Sequence, residues 1–191
     1  MEASHLIWKE GESRELFRSK IFSIRETESR SPNGETRSFT VMDAPDWVIV
    51  VPLLETERGR CFIMVRQWRH GSRELSLEFP GGVMEKGESA EEGAKREFEE
   101  ETAYRALNLC RLGGMSPNPA IMSNRVHFYL AENLAPLPSQ KLDDDEFVDV
   151  ECIPVADVIG GMGKPPFVHA LTAAALALYM SRRENILNNS R

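Results

Sequence analysis

The segment Arg96-Glu97-Phe98-Glu99-Glu100-Glu101 constrains this chain more than any other, because few local structures tolerate so many carboxylates so close together. Ser89 and Glu92 stand in a capping-box relation, and Ala90, Ala94 and Phe98 recur at helical spacing, so the spacing predicts a helix with one apolar stripe. On that helix Glu97 and Glu101 lie one turn apart and share a face, with Glu100 on a neighbouring face. Like charges at this spacing destabilise a bare helix. A hard divalent cation such as Mg²⁺ reverses the sign, since it takes oxygen ligands and bridges a few carboxylates to substrate phosphates. Arg96 is placed to pair with Glu88 or Glu92 and steady the acidic face. The Gly81-Gly82 turn before the helix lets a backbone carbonyl approach an ion closely. Four glutamates alone are equally well read as a solvated acidic face, so the surroundings have to decide.

Those surroundings are mostly strand. Residues 20–29 and 37–43 read as two strands joined by Ser31-Pro32-Asn33-Gly34, a hairpin or arm. Trp47–Leu54 and Cys61–Val65 read as strands about the turn Glu55–Gly59, and Leu75–Phe79 is a short strand closed by Pro80-Gly81-Gly82. Past the acidic helix, strands are expected near 106–114, 125–131 and 147–153, then helices near 155–161 and 168–185. Mixed strands with few helices predict an α+β or α/β sandwich. The expected division is an N-terminal β arm over 1–43 and a main domain over 44–191.

With 191 residues and a formal charge of -7, the chain lacks the basic surface of a general nucleic-acid binder. Its longest apolar run, Leu171–Met180, is too short to span a membrane. Cys61, Cys110 and Cys152 are odd in number and far apart, which argues against a disulfide framework or a zinc site and for a reducing, cytoplasmic setting.

The extended pattern resembles the Nudix box: Gly, five residues, Glu, seven residues, then Arg-Glu-apolar-x-Glu-Glu-x-Gly-apolar. Gly82, Glu88, Arg96, Glu97, Phe98, Glu100 and Glu101 match it, whereas Ala103 stands for the last Gly and Tyr104 for an aliphatic residue. If the chain turns there with positive φ, Ala103 is strained. The resemblance implies the Nudix fold, a mixed sheet sandwiched between helices, here with an N-terminal hairpin arm. It implies hydrolysis by water attacking phosphorus, with Mg²⁺ as the cofactor and Mn²⁺ able to substitute. It assigns Glu97, Glu100, Glu101 and the Gly81 carbonyl to the metal, Glu100 and Glu101 to catalysis, and Gly82, Glu88 and Arg96 to supporting the site.

The flanks are similar to the branch that cleaves ADP-ribose and other nucleoside diphosphate sugars. Val65-Arg66-Gln67-Trp68-Arg69 and Glu78-Phe79-Pro80-Gly81-Gly82 imply Arg66, Trp68, Arg69 and Glu78 as substrate-binding residues. Glu146, in the loop Asp143–Glu146, is the expected general base. Pro119 lies near that branch's marker proline, although Pro119-Ala120-Ile121-Met122 and Asn124 depart from the usual loop. His127, in an alternating strand, is expected to pack rather than react. The resemblance also implies a homodimer that exchanges N-terminal strands. Two other readings stay open: a nucleoside triphosphate or dinucleoside polyphosphate hydrolase, and a non-catalytic module that senses a nucleotide sugar.

Overall fold

The structure is a computed structural model and describes residues 3–189. The chain divides into two compact units, Met1–Asp46 with Ser116–Arg125, and Trp47–Met115 with Val126–Arg191.

The smaller unit is a three-stranded antiparallel sheet in the order β1(Lys9–Arg18), β2(Ser23–Arg30), β3(Thr36–Asp43). The expected hairpin is β2–β3, closed by a turn in which the Gly34 amide donates to the Ser31 carbonyl at 3.0 Å. The sequence reading missed β1: it is exposed along its whole length and its charged sequence has no apolar alternation to betray it. The loop 116–125 is laced to β3 by Met42 N–H to Ile121 O at 2.7 Å and Ser123 N–H to Met42 O at 3.0 Å. Asn124 is buried and its amide donates to the Pro45 carbonyl at 3.0 Å, a structural task within this unit.

The larger unit is a mixed sheet in the order β10-β5-β4-β9-β8, formed by β4(Trp47–Thr56), β5(Gly59–Arg69), β8(Tyr104–Met115), β9(Val126–Pro136) and β10(Asp149–Pro154). Short strands β6(Glu74–Glu78) and β7(Gly81–Val83) pair with β5 and β4. The β4–β9 pair is parallel and its neighbours are antiparallel. Strand β4 shows why helices cover both faces. Val48 and Val50 pack with Ala94 and Phe98 of α1(Ala90–Thr102), whereas Ile49, Val51 and Leu53 join Phe62, Phe128 and residues of α2(Val155–Gly161) and α3(Ala170–Asn189). A run of consecutive β-branched residues buried on both sides is a central strand, and the side-chain period of two divides it between two cores. This is the mixed sheet sandwiched between helices that the sequence led us to expect.

The cysteine reading needs correcting. Cys61 and Cys152 form a disulfide across the antiparallel pair β5–β10, with Cα atoms 5.8 Å apart. Sequence distance hid it: the two positions are 91 residues apart and meet only through strand pairing. Cys110 remains free. Among the described residues no helix is long and apolar enough to cross a membrane.

Candidate active site

The site is built on the turn from β7 into α1. Gly81 has φ +156°, and a Cβ there would lie 2.1 Å from the Val48 carbonyl oxygen. β7 lies against β4 in the register Val48–Gly82 and Ile49–Gly81, so the contact is with backbone that cannot yield. At Gly82 a Cβ would lie 2.5 Å from the Glu97 carboxylate. Gly81 therefore lets the turn lie against β4, and Gly82 lets it lie beside the Glu97 carboxylate of α1.

Helix α1 begins with the expected capping box: Ser89 Oγ accepts from Glu92 N–H at 3.3 Å and Glu92 accepts from Ser89 N–H at 2.9 Å. It ends at Ala103 with φ 56° and ψ 33°, the left-handed conformation in which a glycine would be unstrained. Residues 137–141 satisfy its last carbonyls. Lys141 N–H donates to Glu100 O at 2.9 Å, Leu137 N–H to Ala103 O at 2.7 Å, and the Gln140 amide to Glu101 O.

Arg96 organises the acidic face. It forks onto Glu88 at 2.9 and 3.0 Å, and its remaining nitrogen reaches Glu97 at 2.8 Å and Glu100 at 3.2 Å. It also donates to the Val83 carbonyl at 3.1 Å, which ties helix to turn. The Arg96 hydrogen bonds hold the Glu88 carboxyl below its ordinary range. Glu101 is only 4% exposed and accepts from Gly81 N–H at 2.8 Å. Burial, with Glu97 and Glu146 adding repulsion, pushes its pKa up to about 8 against the pull of Gly81 N–H and Arg69. Burial also raises Glu97, and Glu100 and Glu146 add to the rise against the pull of Arg96.

Among the described residues no three carboxylate, imidazole or thiol groups already converge as a ligand shell; Glu97 and Glu100 both reach Arg96 instead. The chemistry of the donors nevertheless fits a hard divalent cation. The face offers only oxygen, its carboxylates repel one another, and the buried one has a single backbone donor in place of solvent.

The remaining expected residues divide into two groups. Arg69 forks onto Glu78 at 2.9 and 2.6 Å, and its charge acts on Glu101. Glu78 is 1% exposed; burial, the largest single influence, raises its pKa, but the Arg69 hydrogen bonds and charge, with smaller help from His169 and Ser76, together hold the carboxyl below its ordinary range. Arg66 pairs instead with Glu151 of β10, and Trp68 is 49% exposed; strand alternation turns both away from the face that carries Arg69. Glu146 sits in a turn in which its own N–H donates to Asp143 O at 3.0 Å, and its charge acts on both Glu97 and Glu101. His127 lies in β9, opposite Val48 on one side and Gly114 on the other.

The sequence reading missed His169, whose Nδ1 stands 3.0 Å from Glu78 Oε2. It precedes α3, far along the chain from Glu78, and no spacing rule connects the two. A cavity of about 510 Å³ opens beside the outer face of α1, lined among others by Arg96, Glu99, Glu100, Arg105, Ser139 and Lys141.

A model of the NUDIX domain matches residues 45–171. The chain is 32% identical over 171 residues to an ADP-ribose pyrophosphatase of Bacillus subtilis (strain 168), covering 89% of this chain and 90% of that one. It is 27% identical over 165 residues to the ADP compounds hydrolase NudE of Escherichia coli (strain K12), covering 84% and 85%. A crystal structure of an ADP compounds hydrolase superposes with a TM-score of 0.81 at 25% identity, over 93% of this chain and 95% of that one.

Proposed function

The chain belongs to the NUDIX domain family, and from that premise we propose that it is a metal-dependent pyrophosphohydrolase acting on ADP-ribose or a related nucleoside diphosphate sugar. Its products are a nucleoside monophosphate and a sugar phosphate. The observation that carries the reading is the buried Glu101 carboxylate, anchored by Gly81 N–H on the same helix face as Glu97, with Arg96 splinted to Glu88 beside them. A merely solvated acidic helix would not bury a carboxylate.

In this reading Glu97, Glu100, Glu101 and the Gly81 carbonyl would hold the cation. Mg²⁺, or Mn²⁺ in its place, would supply there charge neutralisation for the pyrophosphate oxygens and a more acidic water for attack on phosphorus. The chain's own groups do the rest. Glu88 and Arg96 fix the helix face against the Gly82 turn. Glu146 takes the proton from the attacking water, and Glu100 orients that water. Arg69, set by Glu78, grips a substrate phosphate. Arg66, paired with Glu151, and the exposed Trp68 project from the other face of β5, so the expected substrate contacts of these two are not assigned to this site. The cavity beside α1 brings Arg105, Lys141 and the Ser139 hydroxyl near Glu100, a setting suited to a sugar phosphate.

We assign the N-terminal sheet, residues 1–43, to homodimer formation and residues 44–191 to hydrolysis. Leu16, Phe17, Ile21 and Phe39 are large, apolar and exposed on that unit, a surface that favours a protein partner. The acidic charge of -7 disfavours nucleic acid as a partner, and we assign the enzyme to the cytoplasm with no membrane partner. In a cytoplasm, the Cys61–Cys152 bond would face a reducing thiol pool.

The test is product analysis with ADP-ribose. With Mg²⁺ or Mn²⁺ the protein should release AMP and ribose 5-phosphate, and a chelator should stop turnover reversibly. Full activity in chelator would remove the metal from the account.

A further inference from the structure

Arg69 lies opposite Glu74 in the β5–β6 hairpin, whereas Glu78 lies opposite Val65. To reach Glu78, the Arg69 side chain therefore runs back along the strand, toward Gly81 and Glu101. What holds it there is a carboxylate that is 1% exposed. A buried carboxylate needs donors on both oxygens. Arg69 Nε donates to Oε1 at 2.9 Å and Arg69 Nη2 to Oε2 at 2.6 Å. His169 Nδ1 stands 3.0 Å from the same Oε2. Thr172, one turn into α3 and itself buried, places its hydroxyl 3.4 Å from that ring nitrogen. The loop before α3 is hung on β6 beside this group by Leu77 N–H to Pro166 O at 3.0 Å. A ring nitrogen this close to a carboxylate oxygen faces it with Nδ1–H, and burial lowers the pKa of the imidazole against the pull of Glu78.

We propose that His169 is a positioning residue of the hydrolase site: by donating to Glu78 Oε2 from the start of α3, it fixes the carboxylate that orients the Arg69 guanidinium beside Glu101. The inference rests on the reading of Arg69 as a substrate-phosphate ligand. The Arg69 and His169 side chains are 41% and 30% exposed, so the buried carboxylate is gripped from two sides that both open to the surface. Without the imidazole, Glu78 Oε2 loses its partner at the start of α3, and the fork onto Arg69 gains freedom to rotate.

Two variants and two readouts test this. His169→Ala should raise KM for ADP-ribose about tenfold, the scale of coupling between neighbours in one hydrogen-bond network, with a smaller fall in kcat. His169→Asn, whose amide can stand where Nδ1–H stood, should recover most of that KM. A purely structural role would lower the folded fraction and kcat without this split or rescue. The Arg69 Nε–H cross-peak in a ¹⁵N spectrum, identified by its loss in Arg69→Lys, should shift in His169→Ala and return toward its place in His169→Asn. It reports positioning whether or not ADP-ribose is the substrate, so a wild-type protein inert toward ADP-ribose would sink the functional reading and leave this one decidable. An unmoved cross-peak, or a wild-type KM in folded His169→Ala, overturns the proposal; so does His169→Asn failing as badly as His169→Ala. If His169→Ala does not fold, His169→Asn alone decides: near wild-type KM and cross-peak support the proposal, and loss of both overturns it.

Discussion

Individual side chains carry three of the expectations. Glu101→Gln keeps the shape of the buried group but removes its charge, and kcat should fall by roughly a hundredfold or more, the scale of metal-centred charge stabilisation. Melting temperature should hold or rise, because burial and Glu97 both disfavour that charge; near wild-type kcat would move the chemistry elsewhere. Ala103→Gly should stabilise the protein by about 1 kcal/mol, since a left-handed alanine costs roughly 1–2 kcal/mol and part of the gain is lost to glycine's freedom in the unfolded chain. Chemical denaturation checks it, and a destabilised variant would mean the turn is not left-handed in solution. Glu78 gives a pH dependence. Its folded pKa is depressed, so its contribution is present above the unfolded value and is lost as pH falls through the folded one. Thermal melts should therefore decline on the acid side of the ordinary carboxylate range in wild type, and decline less in Glu78→Gln. The box residues were legible because their spacing is local: seven of them lie within Gly82–Glu101. His169 was not, because only the packed hairpin and loop bring it to Glu78.

Legibility among the elements followed how each one buries its surface. β4 and α1 were plain in the sequence because apolar period and capping signals agree. β1 was invisible because it buries nothing, and β7 because three residues held by β4 have no period of their own. The Cys61–Cys152 link, like the His169–Glu78 contact, joins positions far apart in the chain, here through the pairing of β5 with β10, and no local spacing signals it. That link secures β10, the edge strand that follows the Glu146 loop. Reduction should lower unfolding free energy by about 2–4 kcal/mol, as for loops closed over many residues, and a Cys61→Ser Cys152→Ser variant should match the reduced protein. Identical denaturation curves with and without a thiol reductant would show that the bond is not formed in solution.

In the molecule as a whole, the larger unit supplies a mixed sheet with helices on both faces, and the proposed chemistry lies at one turn-to-helix junction on it. The homodimer expectation belongs to this scale: light scattering at micromolar concentration should give twice the mass of the 21.6 kDa chain. An active monomer would leave the apolar surface of the N-terminal sheet without that use. Substrate choice belongs here too, because a diphosphate joining two sugars offers handles on both sides of the bond to be cut, and a triphosphate offers them on one. The most direct measurement is kcat/KM with Mg²⁺ for ADP-ribose, other nucleoside diphosphate sugars and nucleoside triphosphates, in wild type and Arg69→Ala. The account predicts that a diphosphate sugar exceeds every triphosphate and that Arg69→Ala reduces this preference, since one charge-assisted contact is worth roughly 1.5–3 kcal/mol. A triphosphate as the better substrate, with Arg69→Ala affecting both alike, would contradict it.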